Sequence, residues 1–198
     1  MLKVGITGGI GSGKTTVCKI FELLGIPVFY ADQAAKELMQ YDDALQLKLV
    51  EKFGPDIYLP NRTINRTYLA NIVFNDEKQL AALNAIVHPA VFSAFDKWLS
   101  KQSAKYVVKE AALLFESGSH QLCDVNVLVQ APEEIRIKRV MKRDQITKEQ
   151  VLGRIAQQMS DEEKSKLADY VLMNDETKPL IPQILNLHQK LLAGDLPK

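Results

Sequence analysis

The chain has 198 residues, of which 46% are hydrophobic and 25% charged, a composition typical of a soluble globular protein with one well-buried domain. Its formal net charge of +1 argues against a protein that coats nucleic acid by bulk electrostatics, and no apolar run approaches the ~18 residues that a membrane span needs. A predicted strand opens at residue 2, so we expect no signal peptide. The two cysteines, Cys18 and Cys123, form no C-x-x-C pair, which favours reduced thiols in the cytoplasm.

The first elements of the chain form a phosphate-binding pattern. Residues 2–7 are an apolar run typical of a buried strand, and residues 16–24 place apolar side chains at helical spacing. Between them, residues 8–15 fit the P-loop motif G-x-x-x-x-G-K-[ST]. The glycines let N–H groups turn toward phosphate oxygens, Lys14 adds a charge for the β/γ-phosphates, and the Thr15 hydroxyl can ligate Mg²⁺. The predicted triphosphate site consists of Gly9, Ile10, Gly11, Ser12, Gly13, Lys14, Thr15 and Thr16.

A second strand is predicted over residues 26–30, and Asp32 follows it closely. A carboxylate at the carboxyl end of this strand, on the same sheet edge as the P-loop, can accept a proton from an attacking hydroxyl or help to hold Mg²⁺. An aspartate is also a common N-cap, and Asp32 could simply cap a helix predicted over 33–40. The pattern leaves both interpretations open.

The next part of the chain, about 70 residues long, is mainly helical in pattern, which is far longer than a minimal crossover connection. Its predicted helices span residues 44–53, 66–83 and 88–99. Its predicted core residues are Leu69, Ile72, Val73, Leu80 and Leu83. We expect a substrate-facing helical lobe over about 60–100, in which Arg66, His88 and Lys97 either meet an anionic substrate or have structural and surface roles.

The second half of the chain alternates strands with helices. The predicted strands span residues 105–114, 124–130 and 168–173, and the predicted helices begin at Glu133 and Thr147 and span 180–192. This alternation predicts an α/β fold with a parallel five-stranded sheet flanked by helices, and ligands gather at the carboxyl ends of such strands. Glu110, near the end of its strand, could approach Lys14, a metal-bound water or an arginine, because an unpaired buried carboxylate is costly.

Three arginines recur on the helix after the fourth strand. Arg136, Arg139 and Arg143 stand at i, i+3 and i+7 and therefore share one face. Guanidinium groups can neutralise a transferring phosphoryl group with a bidentate geometry that lysine lacks. The segment over about 133–159 could close as a helical lid that excludes water, and a plain solvated face is the alternative.

A series of motifs follows the P-loop, which itself begins at Thr7. They read Ala31-Asp32, Asn65-Arg66-x-x-Leu69-x-x-Ile72-Val73-Phe74, Ile86-Val87-His88-Pro89, Glu110-Ala111-Ala112-Leu113-Leu114-Phe115-Glu116, Arg139-x-x-x-Arg143-Asp144, Arg154-Ile155-x-x-Gln158 and Ala168-Asp169-Tyr170-Val171-Leu172-x-Asn174. The ordered set resembles the dephospho-coenzyme A kinase family along nearly the whole chain. The resemblance implies one P-loop kinase domain over 1–198, which transfers phosphate from ATP to the ribose 3′-hydroxyl of dephospho-coenzyme A in the last step of coenzyme A biosynthesis.

The resemblance also implies roles for single residues. It makes Asp32 the general base and Arg139 the lid arginine facing the transferred phosphoryl group, with Lys14 as the third catalytic residue. It places Arg139, Arg143 and Asn174 with ATP, the last of these near the adenine. The expected acceptor-binding residues are Thr7, Asp32, Arg66, His88 and Glu110.

The chain departs from the family pattern at two positions without assigned chemistry: Ala112 stands where proline is usual, and Lys109 where an apolar residue is usual. There are three competing interpretations: another small-molecule P-loop kinase, a GTP-binding switch, and an ATP-binding module that catalyses no reaction. The switch is disfavoured because the sequence has no Asn-Lys-x-Asp and no Asp-x-x-Gly placed after a strand. We expect Mg²⁺-ATP and dephospho-coenzyme A as ligands, no nucleic-acid or membrane partner, and a monomer or small homo-oligomer.

Overall fold

The computed structural model describes residues 1–73 and 76–195. The strands are β1 (Leu2–Thr7), β2 (Val28–Tyr30), β3 (Tyr106–Glu110), β4 (Val125–Gln130) and β5 (Tyr170–Met173). The described helices are α1 (Lys14–Leu23), α2 (Ala31–Tyr41), α3 (Asp43–Phe53), α4 (Arg66–Val73), α5 (Glu77–Leu99), α6 (Glu133–Asp144), α7 (Lys148–Ile155), α8 (Asp161–Leu167) and α9 (Leu180–Ala193). They fall into two compact units: unit 1 comprises Met1–Tyr30 and the described residues from Gln102 onward, and unit 2 comprises Ala31–Lys101.

The strands of unit 1 form one five-stranded sheet in the order β2-β3-β1-β4-β5. Every neighbouring pair is parallel, and the central strand β1 aligns Val4 with Val108 of β3 and with Val125 of β4. The carboxyl ends of the strands therefore share one edge, at which β1 continues into the P-loop. The predicted parallel α/β sheet is confirmed.

The core of unit 1 lies around the central strands. Continuous apolar runs suit β1, β3 and β4 because these strands are covered on both faces. The largest apolar cluster joins these strands to the buried sides of α1 and α9, through residues that include Val4, Ile6, Phe21, Val108, Val127, Ile184 and Leu187. Full burial of each such side chain contributes about 1.5–3 kcal/mol, so the strand that leads into the P-loop has a rigid base.

The helices of unit 2 differ from the prediction at one break. The predicted helices 66–83 and 88–99 are wrong, because α4 ends at Val73 and α5 runs without interruption from Glu77 to Leu99. The Asp76 side chain starts α5 by accepting two hydrogen bonds from N–H groups of its first turn. Pro89 lies inside α5, which costs about 3 kcal/mol in a helix interior. The buried side chains on either side of it, Val87, Val91 and Phe95, offset this cost.

Other local predictions also need correction. Helix α2 begins at Ala31, directly after β2, so Asp32 lies in its first turn and is not an N-cap before residue 33. None of the five predicted core residues of this region is fully buried: Leu80 is 39% exposed, and the other four are half-buried. Strand β3 ends at Glu110, short of the predicted residue 114, because the chain turns at 112–117. Phe74 of the family-like motif lies outside the described residues.

The expected lobe over about 60–100 and lid over about 133–159 remain predictions. Residues 60–100 lie within unit 2, and α6 and α7 make up most of residues 133–159. Across residues 1–73 and 76–195, we find no helix with the length and apolar character that a membrane crossing requires.

Candidate active site

The P-loop wraps around the side chain of its own lysine. Lys14 Nζ donates a hydrogen bond to the Gly8 carbonyl at 2.8 Å and lies 3.5 Å from the Gly9 carbonyl oxygen. Gly13 has φ 101, a left-handed conformation that favours glycine, and α1 starts at the next residue without a side-chain cap. An uncapped helix N-terminus beside a lysine attracts anions. The loop therefore presents the positive charge and free helix end that a polyphosphate site requires.

Helix α6 packs directly on the P-loop. A Cβ on Gly9 would stand 1.5 Å from Nη1 of Arg136, and a Cβ on Gly11 would stand 2.6 Å from the Arg136 carbonyl oxygen. The Arg136 side chain is buried, and Nη1 lies 3.5 Å from Oδ1 of Asp161. The motif leaves positions 9 and 11 open to any residue, whereas the packing of α6 admits only glycine there without rearrangement.

Arg139 and Asn174 meet at the other half of the P-loop. The Asn174 side chain donates to the Ser12 carbonyl at 2.7 Å, and Arg139 Nη1 donates to the Gly11 carbonyl at 3.4 Å. Arg139 Nη2 also donates to the Asn174 carbonyl at 3.2 Å and pairs with Glu176 at 3.1 Å. The structure thus brings together two residues predicted for ATP binding, although they lie 35 positions apart in the chain.

Arg143 does not join this group. Its guanidinium pairs with Asp144 at 2.7 Å, and Arg154 pairs with the same carboxylate at 2.8 Å. The hydrogen bond from Arg143 is the main reason that the pKa of Asp144 is lowered, and the hydrogen bond and charge of Arg154 add to it. Of the predicted arginine stripe, two members contact the P-loop and the third is held at the end of α6.

Glu110 and Lys14 both lie close to Cys18 on the buried side of α1. Burial raises the pKa of the Cys18 thiol most, the charge of Glu110 raises it further, and the charge of Lys14 lowers it. Glu110 is 7% exposed at the end of β3, where it aligns with Ile6, two residues before the P-loop motif begins. Thr7 is fully buried, and its hydroxyl donates to the Ala112 carbonyl at 3.3 Å.

The remaining predicted site residues belong to unit 2. Arg66 and Lys36 line a cavity of about 720 Å³, whose other lining residues include Met39, Leu69 and Val73. The His88 ring lies 6.1 Å from the Phe92 ring on the same helix, and His88 is not among the described residues that line this cavity. Asp32 is exposed in the first turn of α2.

Two contacts of the P-loop escaped the sequence interpretation. The Ile10 N–H donates to Oε1 of Gln158 at 2.9 Å across a separation of 148 residues, and Gln158 was noted only as part of a family-like motif. Arg136 was noted only as a member of the charged stripe. Its position three residues before Arg139 was the available signal that it also faces the P-loop.

Comparison with known proteins gives a consistent result. A model of the dephospho-CoA kinase family matches residues 2–179. A dephospho-CoA kinase of Bacteroides fragilis is 40% identical over 187 residues, which is 94% of this chain and 91% of that protein. One of Salinibacter ruber is 46% identical over 180 residues, or 89% of this chain and 90% of that protein. The crystal structure of a Thermus thermophilus protein covers 98% of this chain and 97% of its own at 36% identity, with a TM-score of 0.84.

Proposed function

The chain belongs to the dephospho-CoA kinase family and phosphorylates dephospho-CoA with ATP, and we propose how its own residues divide this work. The family match over residues 2–179 carries the assignment. The reaction moves the γ-phosphoryl group of ATP to the ribose 3′-hydroxyl and yields coenzyme A and ADP. Catalysis of this kind depends on positioning the two reactants and on stabilising the charge of the transferred group.

The phosphates of ATP bind to the P-loop in this proposal. The N–H groups over residues 9–15 turn to phosphate oxygens, except those of Ile10 and Ser12, which are bonded to Gln158 and to the Gly9 carbonyl. Lys14 exchanges the Gly8 carbonyl for the β/γ-phosphates, to which it makes stronger, charge-assisted bonds. Arg139 already contacts the loop and faces the developing charge of the phosphoryl group. Arg143 joins it after release from Asp144. Asn174, which donates to the Ser12 carbonyl, lies near the adenine of ATP in this proposal.

Mg²⁺ fits the exposed Thr15 hydroxyl at the start of α1, because Mg²⁺ in phosphoryl-transfer sites takes few protein ligands and several phosphate or water oxygens. The described part of the chain has no group of three or more histidine, cysteine, aspartate or glutamate side chains that could hold a metal without such help. When bound, Mg²⁺ supplies charge that neutralises the phosphate oxygens.

The acceptor is held by unit 2 and activated by Asp32. The exposed Asp32 carboxylate can accept the proton of the 3′-hydroxyl as the phosphoryl group arrives. Dephospho-CoA carries a diphosphate and a long uncharged arm, and the cavity beside Arg66 and Lys36 offers cations next to apolar walls. His88 and Glu110 are further acceptor contacts in this proposal, whereas the buried Thr7 hydroxyl supports the segment after β3.

The cellular setting follows from the same reasoning. We place the protein in the cytoplasm, because Cys18 and Cys123 are both free thiols and the substrates are small intracellular nucleotides. We expect it to act as a monomer or small homo-oligomer, with ATP and dephospho-CoA as its ligands and without a nucleic-acid or membrane partner.

The test is acceptor-dependent ADP release by the purified protein with Mg²⁺-ATP, with coenzyme A identified by mass. We expect strong stimulation by dephospho-CoA that Lys14→Ala abolishes. Activity that persists in Lys14→Ala would indicate a contaminating kinase. Lys19→Ala, an exposed change on the same helix, is the matched control and should leave turnover unchanged. ATP binding without stimulation by dephospho-CoA would refute the proposed acceptor.

A further inference from the structure

Ile10 connects the P-loop to α6, α7 and the segment that follows α7. Its side chain packs against a small apolar cluster of α6 and α7, formed by Ile137, Val140 and Val151 with Ile146 and Ile155 beside it. Its backbone N–H is bonded to the side-chain oxygen of Gln158 at 2.9 Å. Since an N–H needs an acceptor, the oxygen of the Gln158 amide must be the atom that faces it. The loop is thus held at this residue through both its side chain and its backbone.

The Gln158 contact acts on one peptide group, the one that joins Gly9 to Ile10. The N–H of this peptide faces Gln158, while its carbonyl oxygen accepts from the Ser12 N–H at 3.1 Å and lies 3.5 Å from Lys14 Nζ. Because a peptide group is planar, fixing its N–H also fixes its carbonyl. Gly9 has no side chain to restrict rotation of this peptide, so the orientation depends on the hydrogen bonds at its two ends.

Gln158 is itself anchored to the body of unit 1. The 158–164 segment, which connects α7 to α8 and includes the first residues of α8, carries three further contacts. The Met159 N–H donates to Glu116 at 3.0 Å, and the fully buried Lys164 pairs with the same carboxylate at 3.0 Å. Asp161 pairs with the buried Arg136. Glu116 follows β3, so this segment is tied to the sheet independently of α7 and can serve as a fixed reference for the loop.

We propose that Gln158 is a positioning residue of the P-loop. It holds the Gly9–Ile10 peptide with its carbonyl toward Lys14 and so sets the place from which that lysine meets the phosphates. The inference rests on the proposed function only in that the P-loop binds ATP. It predicts that loss of the Gln158 oxygen weakens ATP binding and leaves the binding of the acceptor and the stability of the fold nearly unchanged.

The test compares Gln158→Leu, which removes the acceptor oxygen at similar volume, with Gln157→Leu. Gln157 is the exposed neighbour in the same turn and is the matched control. ATP affinity is measured by titration calorimetry, the KM for dephospho-CoA by ADP release, and the Tm by thermal unfolding. Loss of one net hydrogen bond predicts a Kd for ATP that is about three- to tenfold higher in Gln158→Leu. The KM for dephospho-CoA should equal that of Gln157→Leu, and the Tm should be lower by no more than about 2–6 °C, the share of one hydrogen bond in the stability of the fold.

The outcomes separate the possibilities. The proposal would be overturned if the ATP affinity of Gln158→Leu lay within twofold of that of Gln157→Leu. It would also be overturned if a weaker ATP affinity came with a higher KM for dephospho-CoA and a Tm lowered by more than one hydrogen bond explains, because that combination indicates a merely structural role. Proton exchange of the Ile10 amide, followed by NMR, should become faster in Gln158→Leu alone. Calorimetry with ATP does not require turnover, so a wild-type protein that binds ATP but does not phosphorylate dephospho-CoA would refute the proposed function and leave this test intact.

Discussion

Substitution of Gly11 by alanine tests whether the packing of α6 shapes the P-loop. Gly11 has φ 81, and an added Cβ would stand 2.6 Å from the Arg136 carbonyl oxygen and 2.9 Å from Cγ2 of Val140. Gly25 has nearly the same φ, 79, but an added Cβ meets no atom within 4 Å. The two glycines therefore share the conformational cost of alanine and differ in the steric cost.

The magnitude follows from these two costs. An alanine in the left-handed region costs about 1–2 kcal/mol, which is the whole expected effect of Gly25→Ala. Gly11→Ala adds overpacking of about 1–3 kcal/mol, because the atom it meets belongs to the backbone of α6 and cannot rotate away. We expect total losses of unfolding free energy of about 2–5 kcal/mol for Gly11→Ala, with a higher Kd for ATP as the loop or helix shifts.

Urea unfolding followed by circular dichroism gives the unfolding free energies, which are compared with one m-value for all variants. Calorimetry gives the ATP affinities. Gly25→Ala should keep the wild-type affinity for ATP. Equal unfolding free energies for the two variants within about 0.5 kcal/mol, together with equal ATP affinities, would show that α6 does not restrict the loop.

The other predictions concern the proposed chemistry and the thiols. Asp32→Asn should lower kcat by about 10²–10⁴ and leave the Kd for ATP normal. Asp43→Asn, an exposed change at the start of α3, should leave kcat unchanged. Substantial activity of Asp32→Asn would contradict the assignment of Asp32 as the base. Thr15→Ala should raise the Mg²⁺ concentration needed for half-maximal activity, whereas Thr15→Ser, which keeps the hydroxyl, should need the wild-type concentration. If activity depended on Mg²⁺ identically in Thr15→Ala and in the wild type, Thr15 would be excluded as a ligand. Burial raises the pKa of Cys123 to about 11, so its thiolate appears only as pH rises. Alkylation of Cys123 by iodoacetamide at pH 8, followed by mass spectrometry, should be about a hundredfold slower than that of a free thiol, and labelling at the rate of free cysteine would contradict its burial.

Local features of the fold could be predicted because their causes lie within a few residues. The Thr147–Gln150 capping box forms as expected, since both of its hydrogen bonds join groups three positions apart. Strand β1 matches its predicted bounds because a short, mostly apolar run that ends at a pair of glycines is a local signal. The helix break of unit 2 could not be placed in this way. Pro89 is the strongest local signal for a helix end there, and burial of the residues around it outweighs that signal.

The residues of the candidate site also differ in whether local sequence predicts their contacts. The sequence alone is enough to identify a P-loop motif at the end of β1, because the motif encodes its own backbone shape and charge within eight positions. The tertiary structure adds that the backbone of α6 leaves no room for a Cβ at Gly11, that Arg139 and Asn174 meet at the P-loop, and that Arg143 does not join them. It also brought Gln158 to Ile10 across 148 residues. The physical reason is that such contacts depend on how α6, β5 and the segment before α8 pack on the loop, and packing is set by the shape of the whole core of unit 1.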